Sequence, residues 1–123
     1  MEIAIDFDGT CVLHDYPSIG RDIGAVPVLQ KLAENGHRLI LYTMRSGGYL
    51  SEAIEWFNTN KIPLYGAQVN PTQHKWTEST KCFAHLYIDD AALGAPLLYD
   101  KESGRNYIDW SEVTKLLHTK GLL

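Results

Sequence analysis

Cysteine is nearly absent: Cys11 and Cys82 are the only two in 123 residues, without paired spacing. That excludes a disulfide framework and a zinc site built on clustered cysteines; both are expected to be reduced, half-buried thiols. No apolar run approaches the roughly 20 residues that span a bilayer. The N-terminus has no basic segment followed by an apolar core and a small-residue cleavage site, so neither a membrane nor a secretory address is indicated and the cytoplasm is the expected location. Strong charge of one sign is also missing. With 11 basic against 15 acidic residues the net charge is -4, which provides no footprint for nonspecific nucleic-acid binding. Internal repeats and low-complexity tracts do not occur.

What is present is an ordinary globular composition, 45% hydrophobic and 21% charged. The length suits one domain with a real core, so a single domain over residues 1–123 is expected. Residues 2–8 (EIAIDFD) read as a buried strand stopping at the Asp8-Gly9 turn. Pro17, Gly20 and Gly24 mark irregular structure after it. Val26, Val28, Leu29, Leu32 and Ala33 form a helical stripe that Asn35-Gly36 can stop. Residues 38–43 (RLILYT) read as a strand covered on both faces, and Leu50, Ala53, Ile54 and Phe57 place a second helix within Tyr49–Asn60.

Further on, a short strand is expected in 64–69 and weak helix or coil in 73–84. Strands are expected at 85–88 and 96–99, the latter together with Tyr107-Ile108, and then a helix capped by Ser111. Trp56, Phe57, Trp76 and Trp110 are expected to pack rather than to stack on a ligand. Strands alternating with helices imply an α/β sandwich with a mainly parallel sheet, and ligands bind beyond the carboxyl ends of such strands. Asp6 and Asp8, Thr43, and Asp89 and Asp90 all fall at strand ends.

Asp-Gly is itself a strong hairpin signal and accounts for Asp8. It leaves Asp6 unexplained, because a carboxylate following Ile3-Ala4-Ile5 in a core strand needs a partner. A hard divalent cation such as Mg²⁺, held by one or two carboxylates together with substrate phosphate, is the economical one.

Taken in order, these residues resemble the motifs of the haloacid dehalogenase (HAD) superfamily. Asp6-Phe7-Asp8-Gly9-Thr10 is similar to its first motif, and Leu39-Ile40-Leu41-Tyr42-Thr43 to the second, a strand ending in Thr or Ser. Lys81, eight residues before Asp89, is similar to the third, and Asp89-Asp90 to the fourth, an acidic pair. Lys75 is a rival for the third. The resemblance implies a Rossmann-like, three-layer αβα sandwich and a Mg²⁺-dependent phosphatase.

It also implies roles. Asp6 would be nucleophile and metal ligand, and Asp8 general acid and base as well as a ligand, its carbonyl included. Thr43 would hydrogen-bond a phosphoryl oxygen, and Lys81 would neutralise charge on it. Asp89 and Asp90 would complete the metal site, without an indication of which binds directly. Gly9, Thr10 and Arg45 are candidates for contact with substrate, and the segment Cys11–Arg21, with His14, Asp15, Tyr16 and Arg21, would be a flap beside the site. Asp8 favours phosphoryl transfer over dehalogenation, which needs no second aspartate.

The gaps from Asp8 to Thr43 and from Thr43 to Lys81 are already filled by the elements named, so no cap domain is expected. An open site suits a large phosphorylated substrate, or takes a neighbouring subunit of a homo-oligomer as its lid. A receiver domain of two-component signalling would carry the same residue types, but in a different chain order, and a metal-dependent nuclease has less to support it. The remaining alternative is a catalytically degenerate HAD fold that binds phosphate or a partner.

Overall fold

The computed structural model describes residues 1–123, Met1–Leu123. Four short strands form one parallel sheet: β1 (Glu2–Ile5), β2 (Arg38–Leu41), β3 (Gly66–Ala67) and β4 (Leu86–Ile88), in the order β3-β2-β1-β4. Helix α1 (Ala25–Glu34) joins β1 to β2, and α2 (Gly47–Thr59) joins β2 to β3. A separate antiparallel hairpin, β5 (Leu97–Asp100) and β6 (Arg105–Ile108), leads into the last helix, α3 (Trp110–Thr119).

Register decides which side chains share a face. Ile3 pairs with Leu39 and Leu86, and Ile5 with Leu41 and Ile88. Ile3, Ile5, Leu39, Leu41 and Ile88 enter one buried cluster together with Leu29 and Leu32 of α1, Ala53 and Phe57 of α2, and Val113 and Leu117 of α3. All three helices therefore cover the same face. The first two crossovers move the same way across the sheet, and right-handed connections then place both helices on one side.

The other face, which carries Ala4, Ile40, Gly66 and Tyr87, has no α-helix over it. The segment between β3 and β4 lies there, irregular except for a 3₁₀ turn at Gln73–Lys75. Tyr87 Oη donates to the Cys82 carbonyl at 2.6 Å and accepts from the Ala84 amide at 3.2 Å. Gly66 is required by close approach, since a Cβ would meet the Val69 carbonyl oxygen at 2.5 Å. An α/β sheet flanked by helices is thus observed, but the second outer layer of the expected αβα sandwich is coil.

Side-chain amides hold that coil in place of helical hydrogen bonds. Gln73 donates to the Ser79 and Lys81 carbonyls and accepts from the Phe83 amide, while Asn70 donates to the Phe83 carbonyl. This accounts for the burial of two amide side chains that sequence patterning treats as surface. Trp76 packs edge-on against Phe83 yet remains 64% exposed, unlike Trp110. Both cysteines are fully rather than half buried, and neither is paired.

The cap of α3 differs from expectation. Asp109, not Ser111, is the N-cap, and its carboxylate accepts from the Ser111 and Glu112 amides. Asp109→Ala should lower unfolding free energy by about 1 kcal/mol, and Ser111→Ala should be near neutral. Urea denaturation of the two variants checks this, and the reverse order would contradict the cap.

Candidate active site

The carboxyl ends of β1, β2 and β4 open into a cleft of about 460 Å³ lined by Asp6, Asp8, Thr43, Asp89 and Asp90 from the strand ends. His14 and Tyr16 reach it from the flap, Met44 and Arg45 from the loop after β2, and Arg105 from the hairpin. Parallel pairing causes the convergence, because Ile5, Leu41 and Ile88 are in register and the chain leaves all three strands on one rim.

Three carboxylates meet there. Single oxygens of Asp6, Asp89 and Asp90 lie within 4.8 Å of one another. Burial first, and then the neighbouring Asp89 and Asp90 carboxylates, push Asp6 up to about 8, against a hydrogen bond from Thr10 that pulls it down. Burial and Asp90 also raise Asp89. Like charges this close need a cation or a proton between them.

The residues of the turn serve this cluster. Thr10 is fully buried; its hydroxyl donates to Asp6 at 2.7 Å and accepts from the Asp90 amide at 3.1 Å. Its carbonyl accepts from Trp110 Nε1 at 2.7 Å. Gly9 has φ +82°, and a Cβ on it would meet His14 Nε2 at 2.1 Å and Asp90 at 2.5 Å. Its amide donates to the Val12 carbonyl and its carbonyl accepts from the Ile108 amide. Gly9 and Thr10 were candidates for substrate contact, but their hydrogen-bonding groups are committed within the protein and they shape the acidic cluster instead.

Arg45 is likewise corrected. Only 1% of its side chain is exposed. Nε and Nη2 form a fork on the two oxygens of Asp8 at 2.8 and 2.7 Å. The remaining donors go to the carbonyls of Pro17, Ser18 and Tyr49. Its guanidinium carbon lies 5.1 Å from the ring centroids of both Phe7 and Tyr16. With every donor used, Arg45 holds Asp8 and the flap and has none left for substrate. The fork also keeps the Asp8 side chain out of the acidic trio, so as a metal ligand Asp8 offers only its carbonyl, which no backbone amide occupies.

Lys81 is not in the cleft. Its ammonium lies 5.6 Å from the Tyr87 ring centroid, on the face away from the helices, and Gln73 holds its carbonyl. Tyr87 alternates with Leu86 and Ile88, so it faces the coil layer, and Lys81 follows it there. Lys75, in the 3₁₀ turn, does not line the cleft either.

Two residues that the sequence did not single out matter here. Gln68, at the end of β3, accepts from the Thr43 amide at 2.8 Å and donates to the Thr43 carbonyl at 2.6 Å. It does so from φ +68°, a strained conformation for a residue with a side chain. The Thr43 hydroxyl accepts from the Arg45 amide at 3.2 Å, which leaves its proton to donate outward. Arg105 is the other, and its place depends on hairpin packing that no local pattern encodes.

The solved structure of a conserved protein from Bacteroides thetaiotaomicron is similar to this chain: the two are 39% identical, the match covers 98% of this chain and 91% of that one, and the TM-score is 0.79. This chain belongs to that protein's family. No protein-family model and no curated protein matches it. No helix is long and apolar enough to cross a membrane.

The shift on Asp6 fixes the sign of a pH effect. Its folded value, about 8, lies above its ordinary 3.8, so without metal the fold favours the protonated form. That contribution is full below about pH 4 and is lost as pH rises to about 8. A divalent cation competes with the proton. Mg²⁺ should therefore raise the urea midpoint more at pH 8 than at pH 5, and metal-free Asp6→Asn should be more stable than wild type at pH 8. Equal Mg²⁺ shifts at both pH values would contradict the site.

Proposed function

We propose that the protein is a Mg²⁺-dependent phosphohydrolase, a small capless HAD-type phosphatase acting on a phosphate monoester through an aspartyl-phosphate on Asp6. The observation that carries this reading is the set of three carboxylates at two strand ends, with oxygens within 4.8 Å of one another and Asp6 held near 8 by burial and its neighbours. An all-oxygen donor set fits Mg²⁺. Asp6, Asp89 and Asp90 would hold the ion, with the Asp8 carbonyl as a further donor. Bound there, it would allow an anionic nucleophile and an anionic phosphoryl group to approach.

In the first step an Asp6 oxygen forms a bond to phosphorus as the ester P–O bond breaks, and the leaving oxygen departs with the bonding pair as an alkoxide. Thr10 holds the other Asp6 oxygen and orients the attack. Thr43, fixed by Gln68 on both sides of its backbone, donates its hydroxyl to a phosphoryl oxygen. In the second step water attacks phosphorus, the bond to Asp6 breaks, and the proton from water passes to Asp8. Both Asp8 oxygens accept from the Arg45 fork, an arrangement that suits the carboxylate as base more than as proton donor. Esters whose leaving group departs without a proton are then the better substrates. The open rim admits large phosphorylated molecules.

A second reading, a phosphate-binding module without turnover, is favoured by the position of Lys81 outside the cleft and by the clamp on Asp8. One assay separates the two. The phosphatase reading expects p-nitrophenyl phosphate hydrolysis that requires Mg²⁺, stops with EDTA, and falls by roughly 10³-fold or more in Asp6→Asn. Full activity in that variant would rule out Asp6 as nucleophile. Phosphate binding without hydrolysis of any ester in a broad panel would leave the binding module.

A further inference from the structure

A phosphate monoester entering this cleft meets four carboxylates, from Asp6, Asp8, Asp89 and Asp90. Two arginines line the same cleft, Arg45 and Arg105, and no lysine does. Arg45 cannot serve an incoming anion, because its donors are spent on Asp8 and on three carbonyls. The flap histidine, His14, has Nε2 on Asp90 at 2.8 Å. A divalent ion among the carboxylates together with Arg45 still leaves the four aspartates of the cleft one negative charge in excess if Arg105 is not counted. An anion would be repelled unless another cation met it.

Arg105 is that cation. Its guanidinium makes no hydrogen bond and no ion pair within the protein, although Asp100 is its partner across the hairpin. Asp100 is occupied elsewhere, since its carboxylate accepts from the Ser103 amide at 3.0 Å. The backbone at Arg105 is fixed all the same: its amide donates to Ser103 Oγ at 3.3 Å, and the Gly104 amide to the Asp100 carbonyl at 2.9 Å.

The root of the hairpin is tied to the nucleophile's own turn. Ile108 donates to the Gly9 carbonyl at 2.9 Å, and Trp110, two residues on, donates to the Thr10 carbonyl at 2.7 Å. A held backbone with an unpartnered cation at the mouth of an acidic cleft is the arrangement of a recognition side chain, carried on a connection that a rigid scaffold positions. Planar guanidinium groups also match phosphate oxygens in pairs.

We propose that Arg105, on the β5–β6 hairpin, binds the phosphoryl group of the substrate and takes the part that the sequence assigned to Lys81. The proposal rests on the phosphate-site reading given above, and goes beyond it by placing the anion-binding cation on an element that follows the last acidic pair. Arg105 would bridge two phosphoryl oxygens in the cleft that Thr43 also lines.

The test uses the full chain, wild type, Arg105→Ala and Arg105→Lys, with Mg²⁺ present. Orthovanadate, a tetrahedral phosphate mimic, is titrated by calorimetry, and p-nitrophenyl phosphate kinetics are run in parallel. Arg105→Ala should weaken vanadate binding and raise KM by roughly 10- to 100-fold, and Arg105→Lys should recover part of the loss. Added salt should weaken binding to wild type more than to Arg105→Ala, because the lost charge is exposed. Unchanged melting temperature would show that folding is not the cause, as expected for a side chain without partners in the protein. If wild type binds vanadate and Arg105→Ala binds it equally well, the assignment of Arg105 is wrong while the phosphate site stands. If wild type binds no vanadate and hydrolyses no ester, both fall together.

Discussion

Mutual repulsion among Asp6, Asp89 and Asp90 is the constraint on which the rim of this protein depends. Parallel register brings them together, and burial makes the repulsion expensive enough to push Asp6 to about 8. The surrounding structure is organised to hold them in that position. Thr10 bridges Asp6 and Asp90, Gly9 takes a positive φ so that Asp90 and His14 can approach, and Trp110 anchors the turn from the final helix. Stability alone would favour an apolar replacement.

The second charged unit of the cleft is separate. Asp8 and Arg45 form a two-point pair whose guanidinium lies near the rings of Phe7 and Tyr16, and the same guanidinium ties the flap down through the Pro17 and Ser18 carbonyls. Removing either partner would leave an uncompensated charge in a largely dry place, at about 3–5 kcal/mol. The two aspartates of the opening strand therefore have different environments. Asp6 is crowded by carboxylates, whereas Asp8 is neutralised by a cation, which is how neighbouring carboxyl groups acquire different chemical roles.

Much of the fold was legible because hydrophobic runs report burial. The runs IAI, LIL and LYI became β1, β2 and β4, and the stripes at Leu29-Leu32 and Ala53-Phe57 became α1 and α2. The coil layer over the second face was harder to read, because Gln73 and Asn70 hold it through side-chain amides and leave no periodic signal. The cap of α3 lies two residues before the expected Ser111 for a related reason: Asp109 and Ser111 are both good cap formers, and the chain direction out of β6 chooses between them.

By itself the sequence determined that Asp6, Asp8, Thr43, Asp89 and Asp90 stand at strand ends, since an apolar run stopping at a polar residue is a local pattern. Tertiary structure decided which of the polar groups are free. Gly9, Thr10 and Arg45 look like ligand contacts in one dimension and are consumed by partners that lie up to 100 residues away. Lys81 sits at a familiar spacing before Asp89 but falls on the coil-covered face, because side chains alternate across a strand and the segment before β4 approaches from that side. Arg105 reaches the cleft only because a hairpin outside the main sheet folds back onto the turn after β1. Spacing fixes what lies near along the chain; which donors remain unpaired depends on contacts made across it.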